Sequence, residues 1–129
     1  MSWENVPKDI ESYEGFVYLI TNLINGKKYI GKKFFWSRRK LKPLKGKKRK
    51  RISIVESDWR DYYGSCNKLN EDIEKYGKEN FKREILMPCK TRWDCGYYEA
   101  EMQFSNGVLF DDNYYNGIIN CRLSRRKGQ

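Results

Sequence analysis

Phe16-Val17-Tyr18-Leu19-Ile20-Thr21-Asn22, then Leu23-Ile24-Asn25-Gly26, then Lys27-Lys28-Tyr29-Ile30-Gly31-Lys32-Lys33, is the stretch whose reading decides the fold. The first segment is rich in β-branched and aromatic residues, as a strand requires. Asn25-Gly26 is a hairpin signal, because both residues tolerate positive φ. The third segment is a short return strand. Pairing about an even-length turn places Tyr18 and Tyr29 on one sheet face, since side chains alternate with period two. Two phenols on one face, ringed by lysines, can build a phosphodiester-cleaving site.

Working outward, Phe34 to Leu41 reads as one or two helical turns ending before Pro43. Residues 40–52 read as a basic loop. Leu69, Ile73 and Tyr76 recur at helical spacing, and Gly77 is expected to close that helix as a left-handed cap. Lys82 to Met87 reads as a strand stopped by Pro88. A second long helix is expected over about Arg92 to Ser105, with Trp93, Tyr97, Ala100 and Phe104 as its apolar stripe. Residues 1–14 form an N-terminal arm that Trp3 and Tyr13 could pin, and residues 122–129 a basic tail expected to fray. The pattern predicts an α+β fold: a small three-stranded, mostly antiparallel sheet flanked by helices.

The chain has 129 residues, the length of one domain. Its formal charge is +10, and twelve of the twenty residues from Lys32 to Arg51 are Lys or Arg, with no acid among them. Such a run cannot enter a core and needs a polyanion or water. Nucleic acid is the implied partner. A membrane surface fits poorly, because Pro43 and Gly46 interrupt the run and it lacks amphipathic periodicity. Met1 to Asn5 shows neither the basic start nor the apolar core of a signal peptide, so an intracellular, cytoplasmic protein is expected. Cys66, Cys89, Cys95 and Cys121 contain no Cys-x-x-Cys pair and the chain has no histidine, so reduced thiols are expected rather than a zinc site.

Val17-Tyr18, then Tyr29-Ile30-Gly31 with an arginine shortly after, resembles the GIY-YIG nuclease family, in its small phage-type and homing-endonuclease form. Tyr76-Gly77-Lys78-Glu79-Asn80-Phe81 before Ile85-Leu86, Glu99-Ala100-Glu101, and Tyr115-Asn116 extend the resemblance over about residues 15–120. The first half-motif departs from Gly-Ile-Tyr, reading Phe16-Val17-Tyr18. The resemblance implies a metal-dependent DNA endonuclease. Tyr18 would position or deprotonate the attacking water and Tyr29 would support it by hydrogen bonding. Arg39, ten residues after Tyr29, matches the catalytic arginine, with Arg38 its competitor. Glu101 matches the metal-binding glutamate. Asn116, with Asn120 as the alternative, matches a supporting asparagine. Many members carry a histidine a turn after the arginine. None is present here, so proton handling falls to tyrosine, lysine or a metal-bound water.

The implied cation is Mg²⁺ or Mn²⁺; Mg²⁺ often takes only one or two carboxylates. Glu101, one residue after Ala100, is expected at the edge of the apolar stripe, looking into the cleft. Glu99, about 200° around the helix, is then expected to face elsewhere. A phenol with an ordinary pKa of about 10 is a poor base at neutral pH. Lys27, Lys28, Lys32 and Lys33 are expected to lower that value for Tyr18. Lys32, Lys33, Arg38, Lys40, Lys47, Lys48, Arg49, Lys50 and Arg51 are the expected contacts to the phosphates of duplex DNA. The competing reading is a non-catalytic basic protein that coats nucleic acid. The sequence leaves open monomer or dimer, nick or double-strand break, and any base preference.

Overall fold

A computed structural model describes residues 2–49 and 51–126; Lys50, one of the expected phosphate contacts, lies outside them. Along the chain come β1 (Gly15–Asn22), β2 (Lys28–Phe34), β3 (Trp36–Leu41), β4 (Arg51–Glu56), α1 (Asn67–Tyr76), β5 (Phe81–Cys89) and α2 (Arg92–Ser105). β1 and β2 form the expected antiparallel hairpin. Its turn is longer than an Asn-Gly pair. The Asn22 N–H donates to the Lys27 carbonyl, and Gly26 alone among the four residues between them takes positive φ, +78°. The loop is still even in length, so parity is preserved. Tyr18 lies opposite Gly31 and Ile20 opposite Tyr29, which puts both phenols on one face.

β5 pairs antiparallel with the other side of β1, completing a three-stranded sheet in the order β2-β1-β5. The α+β class and its antiparallel sheet are as the sequence implies. Each outer edge is covered over part of its length. Glu4 bridges to Glu84 beside β5, and Tyr114 bridges to Lys28 beside β2. Each cover satisfies strand N–H and C=O groups that would otherwise face water. The arm is pinned as expected by Trp3, which is buried and donates from its indole to the Trp59 carbonyl at 2.8 Å.

Three local expectations are corrected. Residues 36–41 form a strand, not helical turns, because Ile52, Ile54 and Val55 supply a β-branched partner for it in β4. Long-range pairing overrides the local reading. The resulting two-stranded ribbon joins the body where the Ser57 N–H donates to the Phe35 carbonyl. β5 runs through Pro88, which an outer strand accepts because its missing N–H need not interrupt the ladder. Gly77 does end α1 with positive φ, but at φ 91°, ψ 145° it is not in the left-handed helical region.

The sheet separates two apolar layers. On one face Phe16, Tyr18, Ile20 and Phe81 pack with Phe35, Trp59 and the α1 residues Leu69 and Ile73. On the other, Val17 and Ile30 pack with Cys89, Cys95 and Val108. α2 begins at Thr91, whose hydroxyl accepts from the Asp94 N–H at 3.0 Å, a side-chain cap. Of its expected apolar stripe, Ala100 alone is buried. Tyr97 and Phe104 are exposed, Trp93 stacks on Tyr97 at 5.2 Å outside the core, and the buried positions are Cys95, Ala100 and Gln103. Small residues face the sheet because α2 lies close to it, which turns the large rings outward. The described part of the tail lies against α2. Ser124 accepts from the Trp93 indole at 3.0 Å and Arg126 reaches Asp94 at 3.6 Å. Among the described residues no helix is long and apolar enough to cross a membrane.

Candidate active site

Gly31 makes the site possible. It lies opposite Tyr18 on the outer strand β2, and having no side chain it lets the Tyr18 ring lie across it. A Cβ there would sit 2.6 Å from Tyr18 Cζ and 3.0 Å from Tyr29 Cε2, and would collide with the Tyr18 hydroxyl. The two rings stand 6.1 Å apart, centre to centre. Tyr18 is 1% exposed while Tyr29 is half-buried, so the pair runs from the core to the rim of the β2 edge.

A third phenol joins them. Tyr62 meets Tyr18 edge-on at 6.0 Å, and its phenol helps to raise the Tyr18 pKa. Tyr62 lies in the segment after Trp59 that has no clear period and was not a sequence candidate. Gly64, at φ +91°, was the available signal: it turns the chain so that Ser65 reaches the Tyr29 hydroxyl and Leu69 enters the core. Arg83 on β5 holds this segment by donating to the Arg60 and Tyr62 carbonyls at 3.0 and 2.8 Å.

The acid arrives from the opposite face. Glu99 on α2 is half-buried, and the Lys32 ammonium and backbone N–H on β2 favour its charged form. Its charge acts on both Tyr18 and Tyr29. Glu101 is exposed. The expected facing is therefore reversed: Glu99 looks at the β2 edge and Glu101 away from it. The reversal follows from the stripe. With Cys95 and Ala100 inward, Glu99 is carried toward the sheet and Glu101 about 200° away.

The electrostatics also differ from expectation. Burial raises the Tyr18 pKa well above its ordinary value, and Tyr62 and then Tyr29 push the same way. The lysines expected to lower it are engaged elsewhere. Lys33 pairs with Asp58 at 2.6 Å and stands 4.3 Å over the Tyr62 ring, Lys27 lies over Tyr115, and Lys32 attends Glu99. Tyr29 is raised by burial, with Ser65 opposing. Burial raises Glu99, with the Lys32 ammonium and amide opposing.

Asn116 is buried and clamps the same strand edge. Its Oδ1 accepts from the Ile30 N–H at 3.0 Å and its Nδ2 donates to the Ile30 carbonyl at 2.8 Å, a carbonyl that Gln103 Nε2 also reaches. Asn120 is exposed. Arg38 and Arg39 alternate on β3. Arg38 lines a cleft of about 380 Å³ with Lys32, Lys33 and Arg92. Arg39 is exposed on the other face of the ribbon. Lys40, Lys47, Lys48, Arg49 and Arg51 are exposed on the ribbon and its connecting loop.

The chemistry of the donor set fits a divalent cation. The four cysteines are free, and among the described residues no cluster of three or more acidic, cysteine or histidine side chains exists. One carboxylate beside phenolic hydroxyls at an open strand edge matches a hard cation that keeps most of its ligands from water and phosphate.

A family model described as "Putative endonuclease segE, GIY-YIG domain" matches residues 2–119. The chain is 37% identical over 102 residues to "Putative endonuclease segE" of Enterobacteria phage T4, covering 78% of this chain and 39% of that protein. It is 32% identical over 102 residues to "Putative endonuclease segD" of the same phage, covering 79% and 37%. The chain thus spans less than two fifths of the length of these relatives. No solved structure matches it. With its two half-motifs on adjacent antiparallel strands and their tyrosines on one face, this chain belongs to the GIY-YIG endonuclease family, in its segE-type branch.

Proposed function

We infer that the chain is a divalent-metal-dependent endonuclease that hydrolyses phosphodiester bonds of duplex DNA at the outer edge of β2. The observation that carries this is the packing of Tyr18 and Tyr29 across Gly31, with Tyr62 edge-on to Tyr18 and a half-buried Glu99 near enough for its charge to act on both Tyr18 and Tyr29. Glu99, rather than Glu101, would hold Mg²⁺ or Mn²⁺. Bound there, the cation would relieve phosphate charge and assist the leaving oxygen.

Tyr18, kept neutral by burial, donates or relays a hydrogen bond and orients the attacking water; it does not wait as a phenolate. Tyr62 takes part in the same hydroxyl chain, in a site without imidazole. Lys32 and Arg38 meet the phosphate, Arg38 doing so better than Arg39 because it faces the cleft. Asn116 and Gln103 act through Ile30, holding the strand edge in place. The exposed basic residues of the ribbon and loop contact neighbouring phosphates without reading bases. Each chain contributes one site, so a double-strand break requires two chains or two events.

The test is cleavage of supercoiled plasmid in Mg²⁺ and in EDTA. Cutting should require the cation. Glu99→Gln should lose at least ~10³-fold in rate, with Glu101→Gln within several-fold of wild type. Undiminished cutting in EDTA, or by Glu99→Gln, overturns the reading.

A further inference from the structure

Glu14, at the junction of the arm and β1, holds two guanidiniums on one oxygen. Arg92 Nε lies 2.9 Å and Arg38 Nη2 3.2 Å from Glu14 Oε1. Arg92 Cζ also stands over Phe34, 4.1 Å from the ring centre, and Arg92 donates to the Trp36 carbonyl at 3.3 Å. It is thus fixed by a ring, a carboxylate and a carbonyl while it stays exposed. The cleft that Arg38, Arg92 and Lys32 line continues past Arg92 into a second of about 400 Å³, which shares Lys32, Phe34 and Arg92 and ends at Arg122. Lys33 is neutralised by Asp58, and Asp94 is taken by Arg126. Arg38, Arg92, Lys32 and Arg122 therefore line the furrow against two nearby carboxylates, Glu14 paired with Arg38 and Arg92, and Glu99 near Lys32.

We propose that this furrow, from Arg38 across Arg92 to Arg122, is a track for the phosphates flanking the scissile bond, with Arg92 at its centre and Glu14 as the anion a phosphate displaces. The polyanion's identity rests on the endonuclease reading; the track itself rests on the furrow. Guanidinium forks suit phosphate oxygens, and a preplaced fork loses little freedom on binding. The competing carboxylate offsets the repulsion between the two arginines and keeps them oriented until substrate arrives. Phe34 is already covered by Arg92, so the track grips backbone rather than stacking a base.

The test is binding of a fluorescein-labelled duplex oligonucleotide in EDTA, across a salt series, so that no cleavage is needed. Arg92→Gln should weaken binding roughly five- to tenfold and flatten the slope of log K against log salt by about 0.9, the value of one phosphate contact. Arg38→Gln should do the same. Glu14→Gln should bind about two- to fivefold tighter, since a competing anion is gone. Thermal melts report that each variant is folded. An unchanged slope in folded Arg92→Gln, or weaker binding by folded Glu14→Gln, overturns the track. A flattened slope in a protein that never cuts keeps the track and removes the endonuclease reading; cutting with an unchanged slope does the reverse.

Discussion

Gly31→Ala adds one methyl group where the Tyr18 ring crosses β2. The new Cβ would lie 2.6 Å from Tyr18 Cζ, against 3.4 Å at the inner limit of ordinary contact, so the ring must retreat by roughly 0.8 Å. It has little room. Trp3 stands 5.5 Å away, Tyr62 6.0 Å and Phe16 6.1 Å, centre to centre, and the residue is 1% exposed. Overpacking of this kind costs about 1–3 kcal/mol. For a chain of this size each kcal/mol lowers the melting temperature by roughly 3–5 °C. Activity should suffer more than stability, because a misplacement near 1 Å at a reacting centre costs about 10²-fold. The assay pairs thermal melts with plasmid nicking for Gly31→Ala, Tyr18→Phe and the double variant. Removing the colliding hydroxyl should return part of the lost stability to the double variant and none of the cleavage, a coupling a double-mutant cycle measures. Gly31→Ala that melts and nicks like wild type would refute the placement of the Tyr18 ring across β2.

Glu99 makes a pH-dependent prediction. Its pKa is raised in the folded protein, so the fold favours the protonated acid. That contribution is complete below the ordinary value of about 4.5 and is lost as pH rises through the higher folded value. In EDTA, Glu99→Gln should match wild type in urea titrations at low pH and become the more stable protein as pH climbs through that window. Parallel profiles would remove the burial argument. Tyr62→Phe keeps the ring that meets Tyr18 edge-on and deletes the hydroxyl. Nicking should fall by about 10²-fold with oligonucleotide binding retained, and a rate within twofold of wild type would remove Tyr62 from the chemistry.

Much of this arrangement was legible before any coordinates. The hairpin was, because β-branched alternation and Asn25-Gly26 are local signals, and parity alone placed Tyr18 and Tyr29 together. The facing of the two α2 acids was not. It depended on which stripe faces the sheet, and the eye follows Trp93, Tyr97 and Phe104, the largest rings. Cys95 and Ala100 are buried instead because the helix approaches the sheet closely, a tertiary fact no period reveals. β3 was missed for a related reason. Its partner, Arg51–Glu56, lies across a basic loop whose expected end at residue 52 cuts into the start of that strand. Tyr62 was hidden because it sits on irregular backbone, where Gly64 was the single cue. The lowered pKa expected for Tyr18 failed because lysines near in sequence point to Asp58, Tyr115 and Glu99 in space.

The central claim, that the acid from α2 and the phenols from the opposite face meet at the β2 edge to hold a divalent cation, has one direct measurement. Crystals soaked in Mn²⁺ should show an anomalous peak within coordination distance, about 2.2 Å, of a Glu99 carboxylate oxygen, on the side facing Tyr18 and Tyr29. A peak at Glu101, or none at Glu99 under Mn²⁺ concentrations that support nicking, would contradict it.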